Sequence, residues 1–416
     1  MLFSVSCIGG HREESGTVIT FAGSALGVEG QLLSRQIGRF MQANPGIQVR
    51  IQRTPDDATQ RHQLFVQWLN ARAGDPDVLQ LDVVWTPEFA AAEWIAPLGR
   101  WKPNVGDFFP ATVDANTWAG ELYAIPWWMD VGMLYWRTDL MAHAPVSMAE
   151  LAAAARAARS APGGTRYGIV WQGARYEGLV TCFVEYLGAF GGRIMASDGH
   201  IVVDSPESVR ALTFMRDLIT SGETPADVLT WHEEESRFAF QNGAAAMMRN
   251  WPYAVTLVNT PGDSRAAGKF AVAPMPPGPG GVSSATLGGS SLAINAYSEH
   301  PEAAWKLLAF LTAPEQMLER ARLGGYPTRP ALYDDPRLSG AIPIPVAVAR
   351  SIVEHATPRP ATPIYSQLSE LLQIQLHRAL TGQAAPSDAL TRAAREMNAL
   401  VERTRIRELI ARRRAS

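Results

Sequence analysis

Cysteine is almost missing from this chain: its 416 residues hold two, Cys7 and Cys182. Thiols so far apart, without histidine partners, build neither a disulfide framework nor a zinc cluster. Charge of one sign is also scarce. A formal net charge of −3 leaves no basic face for nucleic acid. No run of about 18 apolar residues occurs, so no membrane-spanning helix is expected. Gly-x-Ser-x-Gly, His-Glu-x-x-His and phosphate-loop motifs are all lacking, and no cofactor is expected. His232 beside Glu233, Glu234 and Glu235 comes nearest to a metal cluster. Adjacent positions on one element point to different sides, so no metal site is expected there. The run reads instead as a capped, solvated helix start with one glutamate turned towards a cleft.

Hydrophobic residues make up 47% and charged residues 19%, an ordinary globular composition with length for two domains. Cys182 lies in the apolar run Val180–Val184 and reads as a core thiol. Cys7 follows the short apolar start Met1–Ser6. That start looks like the tail of an export signal whose charged beginning is missing. Ser6 before Cys7 suits lipid attachment after cleavage, although Ser4 stands where such signals usually carry leucine. The alternative is a disordered N-terminus, residues 1–16, with a stray cysteine.

What the chain has in quantity is tryptophan, twelve in all. Three groups adjoin polar or acidic residues: Asp82–Trp85, Pro126–Asp130 and Arg249–Tyr253. A sugar needs that combination. The ring covers its apolar C–H face and a carboxylate accepts from its hydroxyls. A lone tryptophan is more often core. Trp127, Trp128, Trp171, Trp251 and Tyr253 together, near Gly, Pro and carboxylates, point to a ligand cleft. Asp82, Asp130 and Glu29 also leave open a glycosidase with paired carboxylates.

Local patterns give an α/β chain. Strands are expected over residues 17–21, 47–51 and 78–85, with helices over about 31–42 and 59–72 between them, the second burying Leu64, Trp68 and Ala71. That alternation argues for a mostly parallel sheet. Ser147 with Glu150 forms a capping box, and Ser205 before Pro206 opens another helix. Further strands are expected over 120–126, 131–136, 270–275 and 292–295. A helix over 302–311 and two C-terminal helices, over 363–380 and 386–410, complete the pattern. The basic tail Arg403–Arg414 reads as a solvated helix end.

Several long strings carry a resemblance. They include FMQANPGIQV (Phe40–Val49), DPDVLQLDVVW (Asp75–Trp85), LYAIPWWMDVGMLYWRTDL (Leu122–Leu140) and GIVWQGARYEGLVTCFVEYL (Gly168–Leu187). FQNGAAAMMRNWPYA (Phe240–Ala254), ATLGGSSLAIN (Ala285–Asn295) and PRPATPIYSQLSE (Pro358–Glu370) extend it. From about Val18 to Arg395 the chain resembles the solute-binding proteins of bacterial carbohydrate ABC importers, in particular the trehalose/maltose-binding branch. The resemblance implies a two-lobe periplasmic-binding-protein fold with a hinge and an interlobe sugar cleft. Lobe 1 would comprise residues 17–124 and 275–327. Lobe 2 would comprise 125–274 and 328–416, with crossings near 122–126, 270–275 and Thr328.

The resemblance also implies roles. Glu29, in the loop after the first strand, would bind hydroxyls, and Arg61, Asp82 and Asp130 would make further polar contacts. Trp251 and Tyr253 would form the stacking platform, with Trp127 and Trp128 on the other wall. Gly288 and Gly289 would let a backbone amide approach the sugar, and Arg359 would donate from the second lobe. Relatives carry a tryptophan after the Gly-Gly pair, whereas this chain has Ser290. The function implied is a non-catalytic, monomeric receptor outside the cytoplasm, periplasmic or anchored by lipid at Cys7. It would bind an α-linked disaccharide of the trehalose or maltose type and deliver it to the transmembrane subunits of an ABC permease. A glycoside hydrolase and a sugar-sensing module are the alternatives.

Overall fold

A computed structural model describes residues 16–24 and 29–404, apart from the side chain of Glu354. Cys7 and the basic tail beyond Thr404 lie outside the described residues. Twelve strands are described. They are β1 (Thr17–Gly23), β2 (Ile47–Arg53), β3 (Val78–Asp82), β4 (Thr117–Trp118), β5 (Glu121–Leu122) and β6 (Ala124–Val131). β7 (Met133–Arg137), β8 (Tyr167–Val170), β9 (Ala245–Asn250), β10 (Phe270–Ala273), β11 (Ala285–Ile294) and β12 (Ala356–Thr357) follow.

The first sheet runs β12-β11-β3-β1-β2, with β6 on β11. β2, β1 and β3 are parallel, as the strand–helix alternation requires. β11 is antiparallel to both β3 and β6, so the sheet is mixed rather than mostly parallel. β11 arrives from the other lobe, and no crossover helix sets its direction. Period-two alternation buries both faces of β1. Ile19 and Phe21 pack with Leu33, Ile37 and Phe40 of the helix Glu29–Ala43. Ala22, with Leu79 and Leu81 of β3, packs with Phe65 and Leu69 of the helix Ala58–Asn70. That helix buries Arg61, Phe65 and Leu69, one residue round from the expected stripe. Trp68 is left half-buried against Phe65 at 5.7 Å.

The second sheet runs β10-β7-β9-β8 and is also mixed. The helices Met148–Ser160 and Glu233–Gln241 lie on its strands, while Glu177–Ala189 and Pro206–Thr220 share its core and pack under the C-terminal helices Tyr365–Leu380 and Pro386–Arg403. Their contacts run through Phe183, Met215, Leu372, Leu376 and Met397. Ser147 and Ser205 cap their helices as the sequence suggests, accepting from Glu150 N and Ser208 N.

The passages between sheets differ from the expected 122–126, 270–275 and Thr328. β6 stays bonded to β11 as far as Val131, opposite Leu287, and β7 begins in the second sheet at Met133. The first crossing is therefore Gly132. β10 ends at Ala273 and β11 begins at Ala285, which places the second crossing between them. Tyr326 still pairs with Met129 of β6, and β12 lies on β11 at Thr357, so the third crossing follows Thr357. Backbone hydrogen bonds decide these points; the run 122–136 is apolar on both sides of Asp130 and Gly132 and does not by itself mark the break. β11 is also longer than the expected 292–295. Its Gly288–Gly289 pair, outside the expected strand, lies within it.

Candidate functional site

One cavity of about 100 Å³ lies between the sheets, against strand ends and helix N-termini. Glu29, Arg61, Asp82, Trp128, Asp130, Trp251, Tyr253, Gly288, Gly289, Ser290 and Arg359 all line it. The topology brings them together from β3, β6, β11, the segments after β9 and β12, and the helices Glu29–Ala43 and Ala58–Asn70. Trp127 and Trp171 do not join them. Neighbours on a strand face opposite ways, so Trp128 faces the cavity while Trp127 packs edge-on against Phe21, 5.7 Å away. Trp171 is buried, its indole donating to Thr224 Oγ1 at 3.3 Å. Cys182 is a core thiol, 3.4 Å from Gln172 Oε1, and burial pushes its pKa up to about 12.

Trp251 is mounted from behind. The Arg249 guanidinium lies 3.9 Å from its ring centre, a cation–π contact in a water-poor setting. Arg249 is fully buried and ion-paired with Glu185. Its Nε donates to both Glu185 oxygens at 3.0 and 2.9 Å, and its Nη1 donates to Gln172 Oε1 at 3.0 Å. Burial disfavours the Arg249 charge, but Glu185 outweighs it and raises the pKa. The indole Nε1 donates to Glu233 Oε1 at 3.3 Å. A side chain at Gly288 would press on the same ring at 3.2 Å. Tyr253 gives its hydroxyl to Glu234 Oε1 at 2.6 Å, leaving its ring to line the cavity.

The glycine pair has a packing reason. Gly289 has φ +113°, and a Cβ there would run into the Trp128 carbonyl across the ladder. Its own carbonyl accepts from Val83 N at 3.3 Å. Ser290 Oγ accepts from Gln80 Nε2 at 3.0 Å.

The charged groups are already organised. Arg359 donates to Asp82 Oδ1 at 2.8 Å and to Glu177 Oε1 at 2.5 Å. Tyr365 and Ser369 also donate to Glu177. Burial works against the Arg359 charge, yet Asp82, Tyr365 and Glu177 more than offset it. Arg61 donates to the carbonyls of Pro55 and Asp56 at 2.9 and 3.1 Å, and burial lowers its pKa. Asp130 accepts from the Trp128 indole at 3.2 Å. Burial pushes its pKa up to about 7, against the pull of Trp128 and Arg320. Arg320 lies 4.1 and 4.3 Å from the centres of the Trp127 and Trp128 rings. Burial lowers its pKa to about 10, with Glu29 and Asp130 opposing. Glu29 opens the helix Glu29–Ala43 rather than sitting in a loop, and a carboxylate suits a helix N-terminus.

Sequence reading missed Asp56, Gln80, Tyr176 and Glu177, which also line the cavity. Asp56 and Glu177 stand at helix starts, where an acid is ordinary and signals nothing by itself. Glu233 is the member of the His232–Glu235 run that turns into the cavity.

Known proteins resemble this chain in sequence and fold. A family model described as bacterial extracellular solute-binding protein matches residues 25–318. A probable ABC transporter-binding protein of Deinococcus radiodurans is 38% identical over 360 residues, 83% of this chain and 84% of that protein. Maltose-bound MalE3 of T. maritima superposes with a TM-score of 0.88 at 44% identity. It covers 92% of this chain and 100% of its own. The GacH receptor of Streptomyces glaucescens, at 24% identity and a TM-score of 0.84 over 93% of this chain and 99% of its own, shares the fold.

Proposed function

The chain belongs to the bacterial extracellular solute-binding protein family, and from that premise we propose that it captures an α-linked disaccharide of the trehalose or maltose type. It is a non-enzymatic, extracytoplasmic binding protein of an ABC importer. The observation that carries the sugar reading is the Trp251 platform. One face of the ring is backed by Arg249, and the cavity beside it is rimmed by Asp82, Asp130, Glu29 and Glu233. The ring takes the apolar face of a pyranose and the acids accept its equatorial hydroxyls. Maltose in the similar T. maritima protein supports an α-glucoside.

Arg359 acts by holding Asp82 and Glu177 in place, since both already take its donors. Asp130, with a pKa of about 7, can present either an acceptor or a donor to a hydroxyl near neutral pH. Ser290, bonded to Gln80, gives a polar floor where relatives place a ring, and this favours a ligand with a hydroxyl there. Ligand pockets commonly span about 300–1,000 Å³, so a disaccharide enters a cavity of about 100 Å³ only as the lobes part. Contact with both lobes then makes binding favour closure. The loaded monomer is presented to the permease, with Cys7 as the candidate lipid-attachment site.

A thermal-shift screen with trehalose, maltose, longer maltodextrins and monosaccharides tests the reading, because a ligand of the folded state raises the melting temperature. A rise with α-linked disaccharides, followed by calorimetric saturation at one site, is expected. No shift with any α-glucoside refutes it. Overnight incubation with either disaccharide should release no glucose.

A further inference from the structure

Three helix N-termini converge on the cavity. The helices Ala58–Asn70, Glu177–Ala189 and Glu233–Gln241 start there, and Asp56, Ala58, Glu177 and Glu233 line it. Asp57, Thr59 and His232, beside these, lie outside the cavity lining. Asp57 caps the first helix, its Oδ1 accepting from Gln60 N at 2.9 Å. His232 is the N-cap residue of the third, where its backbone N donates to the returning Glu235 Oε2 at 2.9 Å. His232 Nε2 lies 3.4 Å from Asp57 Oδ2. Alongside, Glu177 N donates to Thr59 Oγ1 at 3.3 Å. The Tyr176 ring covers the imidazole, 4.4 Å between centroids.

Asp57 and Thr59 move with the first sheet, whereas Glu177 and His232 belong to the helices on the second. Each contact therefore exists only while the lobes are together. We propose that Asp57 and His232, assisted by Thr59 and the Glu177 backbone, form a latch that holds the lobes closed and raises ligand affinity without touching the ligand. The latch deepens the sugar-receptor reading and rests on it. Asp57 is anchored by its cap and the His232 ring rests against Tyr176, so little side-chain freedom is lost when they meet. A contact present only in the closed state raises apparent affinity by the factor it adds to closure.

The pair is sensitive to pH. Asp57 is the main cause holding the His232 pKa above its ordinary 6.5, and Glu233 and Glu235 act in the same direction against burial. Burial pushes the Asp57 pKa up, but His232 and the cap from Gln60 outweigh it and bring it below 3.8. The uncharged Tyr176 ring is the other group facing His232. The ionic part of the latch is thus complete between about pH 4 and 6.5. It is lost as pH rises through the raised His232 value.

Asp57→Asn keeps a good N-cap while removing the charge, and His232→Gln removes the titrating ring. Calorimetry with maltose and trehalose from pH 5.5 to 8.5 reads the latch. At pH 6 each variant should bind about three- to fivefold more weakly, the scale of a partly exposed ion pair. The double variant should bind no more weakly than the poorer single. The wild type should converge on the variants at high pH. Asp130 titrates in the same range, so the difference between wild type and variants, rather than either slope alone, measures the latch. Variants that bind like wild type at pH 6, or losses that add in the double variant, overturn the proposal. If neither sugar binds the wild type, the sugar reading fails and the latch is judged without ligand. Spin labels at the exposed positions Gln67 and Arg175, in a Cys7→Ser background, report the interlobe distance. The latch requires a larger short-distance population in the wild type than in Asp57→Asn or His232→Gln at pH 6. Equal distributions refute it.

Discussion

Replacing Glu185 by leucine tests how the Trp251 platform is supported. Glu185 and Arg249 are both fully buried. The carboxylate accepts from Arg249 Nε and Nη2 and, at 3.3 Å, from Thr286 N. The substitution strips all of these and leaves the guanidinium with Gln172 Oε1 at 3.0 Å and the Trp251 face at 3.9 Å. Removing one partner of a buried pair costs about 3–5 kcal/mol, chiefly from the uncompensated charge. For a cooperative unit the size of one lobe that is roughly 6–20 °C in melting temperature. Urea unfolding followed by circular dichroism should show a lower midpoint at unchanged slope. Adding Arg249→Met should recover most of the loss, because two apolar side chains replace the pair. The same double variant removes the cation behind Trp251, worth about 0.5–2 kcal/mol, and should weaken sugar binding roughly two- to thirtyfold. A Glu185→Leu protein within about 1 kcal/mol of wild type would show that the pair contributes little. A double variant no more stable than the single would refute the charge argument.

Trp251→Ala should weaken disaccharide binding by about 2 kcal/mol or more, near thirtyfold, as for a central aromatic anchor, while calorimetry finds the fold intact. Unchanged affinity would remove the ring from the site. Asp130 has a folded pKa raised to about 7, so the folded protein holds the extra proton. Its favourable contribution is full below about pH 4, declines as pH rises, and is gone above about pH 7. Asp130→Asn should flatten that slope in denaturation midpoints from pH 4 to 8 and be the more stable protein at pH 8. A slope identical to wild type would refute the assignment. Gly289→Ala places a Cβ against the Trp128 carbonyl at φ +113° and should destabilise by about 1–3 kcal/mol. An unaltered urea midpoint would show that β6 and β11 can part there freely.

Much of the first lobe was legible because its elements obey simple periods. β1 and β3 are short β-branched or apolar runs, and the helices between them carry turn signals at Asn44–Gly46 and Gly74–Pro76. β6 was harder. Its hydrophobic run continues into β7, and nothing in Trp127–Trp136 tells which residue changes sheet. Gly132 does so for a three-dimensional reason, since a Cβ there would collide with Glu185 and Arg249. Gly288 and Gly289 were legible as special positions, but their role in a strand ladder was not. Loop and ladder glycines look alike until the partner strand is known.

Sequence by itself determined the candidates for sugar recognition: the tryptophans beside acids, the Asn250–Tyr253 stretch and the Gly288–Ser290 stretch. It also determined the α/β class, because strand and helix periods are local properties of the chain. Tertiary structure alone decided that Trp128 faces the cavity while Trp127 joins the core. It also turned Arg359 towards Asp82 and Glu177, placed Arg249 behind Trp251, and brought His232 to Asp57. Those pairings join residues tens to hundreds of positions apart. Their geometry follows from strand register and helix placement, which local sequence does not encode.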